Sequence, residues 1–257
     1  MRVLITNDDG IHAEGIQVLS QTLSQETGLE IFLVAPDHER SATSHAITMH
    51  RPLRTEKVKF LHNPTLTGWS VNGTPSDCVK LAVEYLLPGK PDLVISGINR
   101  GGNLGTDVLY SGTVSAAIEG TILGIPSIAV SLTKYHDPDF SFAAKFALYL
   151  LHNLNHLDLP QDTLLNINVP GVEPKEIKGV RITRLGTRHY HNSFQKRQDP
   201  RGRNYYWLAG EIVEKADETE DADVMAIKNN YISITPLHFD LTNYKLIEKL
   251  RTFNWNI

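Results

Sequence analysis

Short apolar runs that alternate with stretches of helical spacing constrain the fold of this chain more than any other feature. The first run, Val3 to Ile5, lies in an extended segment from Arg2 to Thr6; Ile16, Leu19 and Leu23 then recur at intervals of three and four before Gly28, and Ile31 to Ala35 forms the second run. Runs this short, bounded by turn residues, read as buried strands, and the spacing between them reads as a helix. Strand, helix and strand joined by short connections predict a parallel pair with a right-handed crossover. The alternation continues with a strand from Asp92 to Ser96, a helix carrying Val114, Ala117, Ile118, Thr121 and Ile122, a strand from Ser127 to Ser131, a helix from about Ser141 to His152 carrying Phe142, Phe146, Tyr149 and Leu150, and a strand from Leu164 to Val169. That order predicts a mostly parallel sheet with helices on both faces.

Two interruptions are informative. Between Ser44 and Val71 the helical period is lost, and Ala46, Thr48 and His50 alternate with Ile47 and Met49, which predicts a β-rich excursion. Thr74 then reads as an N-cap with Pro75 at the first helical position and Asp77 three residues after the cap, and Cys78, Leu81, Ala82 and Tyr85 form the apolar stripe of that helix, which Pro88 and Gly89 end. Cys78 is thereby expected in the core rather than as a nucleophile. The second interruption follows the third strand, where Gly97, Gly101, Gly102 and Gly105 place four glycines in nine residues. This density predicts positive φ or a close approach of backbone to another group. The segment is neither a Walker A loop nor a Gly-x-Gly-x-x-Gly dinucleotide fingerprint.

The polar residues at the strand ends carry the chemistry. Asp8 and Asp9 follow the first strand in an Asn-Asp-Asp-Gly turn, and two adjacent carboxylates at the end of a buried strand are costly unless a cation or proton compensates them. They are candidate metal ligands, although Asn7, Asp8 and Gly10 also serve as ordinary turn residues. Ser41 ends the loop after the second strand and Asn99 follows the third. In open sheets of this kind ligands sit outside the carboxyl ends of the strands, so these oxygen donors are expected to converge on one edge. Ser111, Gly112 and Thr113 open the helix after the glycine loop; free N–H groups there and the two hydroxyls can hold a phosphate, and a plain helix cap is compatible with that role.

Composition sets outer limits. With 257 residues, 41% hydrophobic and 21% charged, the chain has ordinary globular proportions. No apolar stretch reaches membrane-spanning length, and the first residues show no signal-peptide pattern. One cysteine excludes an intrachain disulfide and favours the cytoplasm. A formal charge of −4 argues against a generally basic nucleic-acid binder. From Arg181 to Arg203, seven Arg or Lys residues accompany one acidic residue, with Tyr190, His191 and Phe194 interleaved, whereas Glu211 to Asp223 carries seven acidic residues against Lys215. Basic residues among aromatics can mark a nucleic-acid surface. The offsetting charges favour solvated faces of a protruding hairpin around Pro200 and Gly202.

The chain resembles the stationary-phase survival protein E (SurE) family. The resemblance rests on Thr-Asn-Asp-Asp-Gly-Ile at 6–11, Ala-Pro-Asp-x-Glu-Arg-Ser at 35–41, Gly-Thr-Pro-x-Asp-Cys-Val at 73–79 and Ser-Gly-Ile-Asn-Arg-Gly-x-Asn-x-Gly at 96–105. It continues with Ser-Gly-Thr-Val-Ser-Ala-Ala-x-Glu-Gly at 111–120, Leu-Asn-Ile-Asn-Val-Pro at 165–170 and Tyr-Ile-Ser-Ile-Thr-Pro-Leu at 231–237. It implies a single Rossmann-like α/β/α domain, with a core at about 1–180 and a C-terminal extension at about 181–257. It also implies metal-dependent nucleotidase activity on nucleoside 5′- and 3′-monophosphates, with one divalent cation per subunit held by Asp8, Asp9, Ser41 and Asn99. Oxygen donors alone suit Mg²⁺ or Mn²⁺ better than Zn²⁺. The resemblance carries phosphate binding to Asn7, Asn103, Ser111, Gly112 and Thr113, and assigns the 181–203 region to an arm that makes homodimers or homotetramers. Asp8 is the expected catalytic residue, orienting or deprotonating water; attack by its own carboxylate is the rival route. A non-catalytic nucleotide or nucleic-acid binder is the alternative function.

Overall fold

The structure is a computed structural model that describes residues 1–60, 63–191, 194–213 and 219–255. In chain order the principal elements are β1 (Arg2–Thr6), α1 (Glu14–Leu23), β2 (Glu30–Pro36), β3 (Thr55–Phe60), β4 (Asn63–Val71), α2 (Pro75–Leu81), β5 (Leu93–Arg100), α3 (Gly112–Ile122), β6 (Ser127–Thr133), α4 (Ser141–Asn153) and β7 (Thr163–Pro170). The C-terminal part adds β8 (Val180–Ile182), β9 (His189–His191), β10 (Phe194–Gln198), β11 (Asn204–Leu208), β12 (Glu211–Val213), α5 (Asp223–Lys228), β13 (Ile232–His238) and α6 (Tyr244–Arg251).

Nine strands form one sheet in the order β3-β4-β2-β1-β5-β6-β7-β13-β8. The five strands β2, β1, β5, β6 and β7 are parallel, as the alternation predicts. The β3–β4 hairpin extends one side and β13, antiparallel to β7, extends the other. Successive side chains of a strand face opposite sides, and the core divides accordingly. Val3, Ile5, Leu33, Ile95 and Ile128 join Ile16, Leu19 and Leu23 of α1 and Ala143, Ala147 and Leu150 of α4 in one layer. Leu4, Val34 and Val94 join Cys78, Val79 and Ala82 and Ala116 of α3 in the opposite layer. Each fully buried Leu or Ile contributes roughly 1.5–3 kcal/mol, and the two layers sandwich the sheet.

The helix starts follow the sequence signals. Thr74 caps α2 in a full capping box with Asp77, Pro75 occupies the first turn, and Cys78 is fully buried. The apolar stripes are narrower than predicted: Tyr85, Ile122 and Tyr149 are exposed. For Tyr85 the cause is local, since residues 82–86 form a π-helical turn that shifts the 3.6-residue phase. The β-excursion begins at Thr55, later than the alternation at 46–50 predicts. Residues 44–50 have no partner strand; instead Ser44 N–H donates to Tyr110 O at 3.0 Å, Thr48 N–H to Asp77 Oδ1 at 2.9 Å and Thr74 Oγ1 to Ala46 O at 2.7 Å, so the segment lies across the starts of α2 and α3.

The hairpin around Pro200 and Gly202 is β10–β11, exposed along both strands. The charged runs are not uniformly solvated. Arg188 pairs with Asp107 at 2.8 Å, and Asp223 is fully buried and accepts hydrogen bonds from Gly105 N–H and Gly186 N–H, both at 2.8 Å. Part of the acidic run, 214–218, lies outside the described residues. Among the described residues no helix is long and apolar enough to cross a membrane.

Candidate metal and phosphate site

The chain runs from β1 to β2 on one side of the sheet and later returns to β5 on the other side of β1, so the strand order reverses between β1 and β5. Such a switch point leaves a crevice at the carboxyl ends of the strands. A cavity of about 270 Å³ lies there, and Asp8, Asp9, Ser41, Asn99, Asn103 and Ser111 all line it.

Asp8 leaves the end of β1 with only 6% of its surface exposed. Its backbone carbonyl accepts from Arg40 N–H at 2.7 Å, which ties the loop after β1 to the loop bearing Ser41. Its carboxylate accepts from the buried Thr113 hydroxyl of α3. Gly112 explains how the helix comes so close: a Cβ added there would lie 2.8 Å from Asp8 Cβ. Burial, reinforced by the adjacent Asp9 charge, pushes the Asp8 carboxyl up to about 6. Burial also raises the Asp9 carboxyl, with the Glu39 charge adding to the rise, although Arg100 N–H donates to Asp9 Oδ2 at 3.2 Å. The neutral donors around the pair therefore do not offset its desolvation, and a bound cation would.

Asn99 lies within β5, which extends to Arg100, rather than beyond a strand ending at Ser96. The β5–β6 register breaks between Ser96 and Asn99, where Gly97 has φ +142° and an added Cβ would meet Val130 O at 2.4 Å. This irregularity redirects the strand end. Asn99 Nδ2 donates to Gly101 O at 2.8 Å, which orients the amide and leaves its oxygen available to a cation. Ser41 Oγ donates to Glu39 Oε1 at 2.5 Å. Two carboxylates, an amide oxygen and a hydroxyl on one wall fit a hard divalent cation. Among the described residues no three His, Cys, Asp or Glu side chains gather into a metal-binding cluster.

Of the phosphate candidates, Ser111 caps α3 by accepting from Val114 N–H at 3.1 Å. Asn103 lines the cavity from the glycine loop, where Gly101 and Gly105 adopt positive φ. Asn7 is turned elsewhere: it is fully buried, donates to Gly10 O at 2.9 Å and accepts from Gly10 N–H at 3.2 Å, closing the turn that presents Asp8 and Asp9. Thr113 and Gly112 stand behind Asp8 rather than on the cavity wall. Sequence reasoning missed Glu39, Arg100, Asp107, Tyr110 and Tyr135, which line the same cavity. Asp107 is held by Arg188 and by the Tyr190 hydroxyl at 2.5 Å, and burial together with this carboxylate pushes the Tyr190 phenol up to about 12.

Fold and site together define an α/β protein whose strand-end loops gather oxygen donors around a crevice at the switch point of a mostly parallel sheet. The comparisons specify which one. Residues 3–192 match the family model for Survival protein SurE. The chain is 59% identical to the 5′-nucleotidase SurE of Pelotomaculum thermopropionicum, over 98% of this chain and 94% of that protein. It is 57% identical to the 5′-nucleotidase SurE of Heliobacterium modesticaldum, over 97% of this chain and 90% of that protein. The crystal structure of the SurE protein from Aquifex aeolicus superposes with a TM-score of 0.82 at 39% identity, covering 98% of both chains. The chain belongs to the SurE family.

Proposed function

We propose that this chain is a 5′-nucleotidase, a phosphoric monoester hydrolase that removes phosphate from nucleoside 5′- and 3′-monophosphates with one divalent cation, Mg²⁺ or Mn²⁺, held by Asp8, Asp9, Ser41 and Asn99. The observation that carries the reading is the convergence of these four donors with Asn103 and Ser111 on one cavity at the switch point. The relatives named 5′-nucleotidase supply the substrate class. A non-catalytic binder has less support, since a pair of carboxylates facing an anionic ligand repels it unless a cation intervenes.

The cation, when bound, neutralises phosphoryl oxygens and makes a water more acidic near neutral pH. The chain's own residues do the rest. Ser111 and Asn103 orient the phosphate through donors that face the cavity, and the opening turn of α3 adds a favourable field for its negative charge. Asp8, held by the Thr113 hydroxyl, aligns the attacking water or takes its proton. Carboxylate attack by Asp8 is the competing route. The stereochemistry at phosphorus separates them: a phosphate ester made chiral with oxygen isotopes is expected to be hydrolysed with inversion, as a single displacement by water requires, whereas retention would establish two displacements through a phosphorylated Asp8. The broader test is phosphate release from AMP and GMP with Mn²⁺, abolished by a chelator. A protein that binds AMP with Mn²⁺ yet releases no phosphate would leave the binder reading standing.

Residues 1–257 are read as one domain, because β8 and β13 of the C-terminal part add strands to the same sheet. The lone, buried Cys78 fits a cytoplasmic site of action. The β10–β11 hairpin is proposed as the arm of a homodimer or homotetramer, since Phe194, Tyr206, Trp207 and Leu208 are all exposed on it and apolar patches of this kind are rarely left uncovered. Excising residues 194–208 is expected to lower the oligomeric mass measured by light scattering, whereas an unchanged mass would remove the arm from the interface. The cut must spare Arg188 and Tyr190, which hold Asp107 at the cavity.

A further inference from the structure

The Leu-Asn-Ile-Asn-Val-Pro stretch forms β7, and its two asparagines, Asn166 and Asn168, lie on one face of the sheet with no exposed surface. A buried amide left without partners costs on the order of 1–3 kcal/mol, so the partners of this pair show what it is for. Asn166 Nδ2 and Asn168 Nδ2 both donate to the carbonyl of Asn103, each at 2.9 Å. Asn168 Oδ1 in turn accepts from Asn103 N–H at 2.8 Å. The main chain of one loop residue thus has its donor and its acceptor held by side chains of a strand 63 and 65 residues further on.

The Asn103 side chain is held as well. Its Nδ2 donates to Ser131 Oγ of β6 at 2.8 Å, and Ser131 sits beside Asn168 in the β6–β7 register. An amide nitrogen carries two hydrogens. Ser131 takes one, which fixes the rotation of the amide plane and reserves the other for a ligand in the cavity that Asn103 lines. Apolar residues would satisfy the packing of β7 equally well; side chains that hold a single residue of a glycine loop through four hydrogen bonds do something more specific.

We infer that Asn166, Asn168 and Ser131 are positioning residues that hold Asn103 with its remaining N–H toward the phosphoryl group of the substrate. The inference rests on the reading of Asn103 as a phosphate ligand, and it adds three residues to which no role in the reaction was assigned. They touch neither the cation nor the substrate; they act through Asn103.

The test compares Asn103→Ala, Asn168→Ala and Ser131→Ala in the full chain with Mn²⁺, reading KM for AMP, inhibition by inorganic phosphate and Mn²⁺ affinity. Asn103→Ala and Asn168→Ala are each expected to weaken phosphate inhibition and raise KM about tenfold, and Ser131→Ala about fivefold, the size of one lost positioned hydrogen bond. Mn²⁺ affinity is expected to be unchanged in all three. Combining Asn103→Ala with Asn168→Ala should add nothing to the first alone, because the second acts through the first. Ser131→Ala removes one hydroxyl and carries the test if Asn168→Ala does not fold. Phosphate inhibition lost in Asn103→Ala but intact in Ser131→Ala and Asn168→Ala would overturn the positioning role and leave the phosphate reading standing. Intact inhibition in Asn103→Ala would overturn the phosphate reading, and positioning with it. Parallel loss of Mn²⁺ affinity, phosphate affinity and melting temperature in Asn168→Ala and Ser131→Ala would reduce these residues to a structural role.

Discussion

Asp8→Asn is expected to lower kcat for AMP hydrolysis by about 10³-fold or more, within the range of losing a positioned acid–base group, while raising the melting temperature of the metal-free protein. The two effects have one cause. The Asp8 carboxylate is buried beside Asp9 and its acidity is weakened to about 6, so above that pH the folded protein holds a charge that burial disfavours. A carboxyl raised in the folded state contributes stability while it stays protonated and loses that contribution as pH climbs from its ordinary value of 3.8 through about 6. At pH 8 the cost is fully present, and the neutral amide removes it while keeping an oxygen that can accept from Thr113. On the proposed reading a cation compensates the pair instead, so wild type should gain melting temperature on adding Mn²⁺ and Asp8→Asn should gain less. Differential scanning fluorimetry at pH 8, with chelator and with Mn²⁺, reads both arms. An active Asp8→Asn enzyme would remove Asp8 from the reaction, and a variant less stable than the metal-free wild type would contradict the electrostatic account.

The parts of this architecture legible in the sequence are those written in local signals. Strands such as Arg2–Thr6, the cap at Thr74 and the turn at Pro200 and Gly202 depend on residues next to one another, and they fall where those residues place them. The donors at the site were legible for a related reason: Asp8, Ser41 and Asn99 mark strand ends, and the topology of a parallel sheet gathers strand ends on one edge. What escaped depends on partners far away in the chain. Asp223 looks like one more charge in an acidic run until Gly105 and Gly186 are seen to donate to it, and Arg188 looks solvated until Asp107 is placed beside it. The alternation at 46–50 has the period of a strand but lacks a neighbour to pair with, and backbone groups of Ala46 and Thr48 go to Thr74 and Asp77. Asn166 and Asn168 did leave a signal, two amides at a two-residue interval inside an otherwise apolar strand, because a buried amide implies a specific acceptor.

Gly112→Ala is expected to remove most of the activity without touching any ligand atom. The first turn of α3 approaches Asp8 so closely that a methyl group at position 112 would sit 2.8 Å from Asp8 Cβ, 3.0 Å from its Oδ2 and 3.1 Å from Pro75 Cγ. Pro75 begins α2 and is itself buried against α3, so the helix cannot simply move away on that side. Asp8 is the part free to yield, and its displacement breaks the bond from Thr113 and shifts one carboxylate of the pair relative to Asn99 and Ser41. A misplacement on the order of 1 Å at a reacting group costs about 10²-fold in rate, and the cation site loses its geometry at the same time. The expected result is a folded protein with kcat reduced about 10²-fold and weakened Mn²⁺ affinity, measured by phosphate release and by calorimetric titration of the metal. Gly112→Ala with wild-type Mn²⁺ affinity would mean that Asp8 and α3 separate without disturbing the ligand set, and the glycine would then serve the packing of α2 against α3 alone.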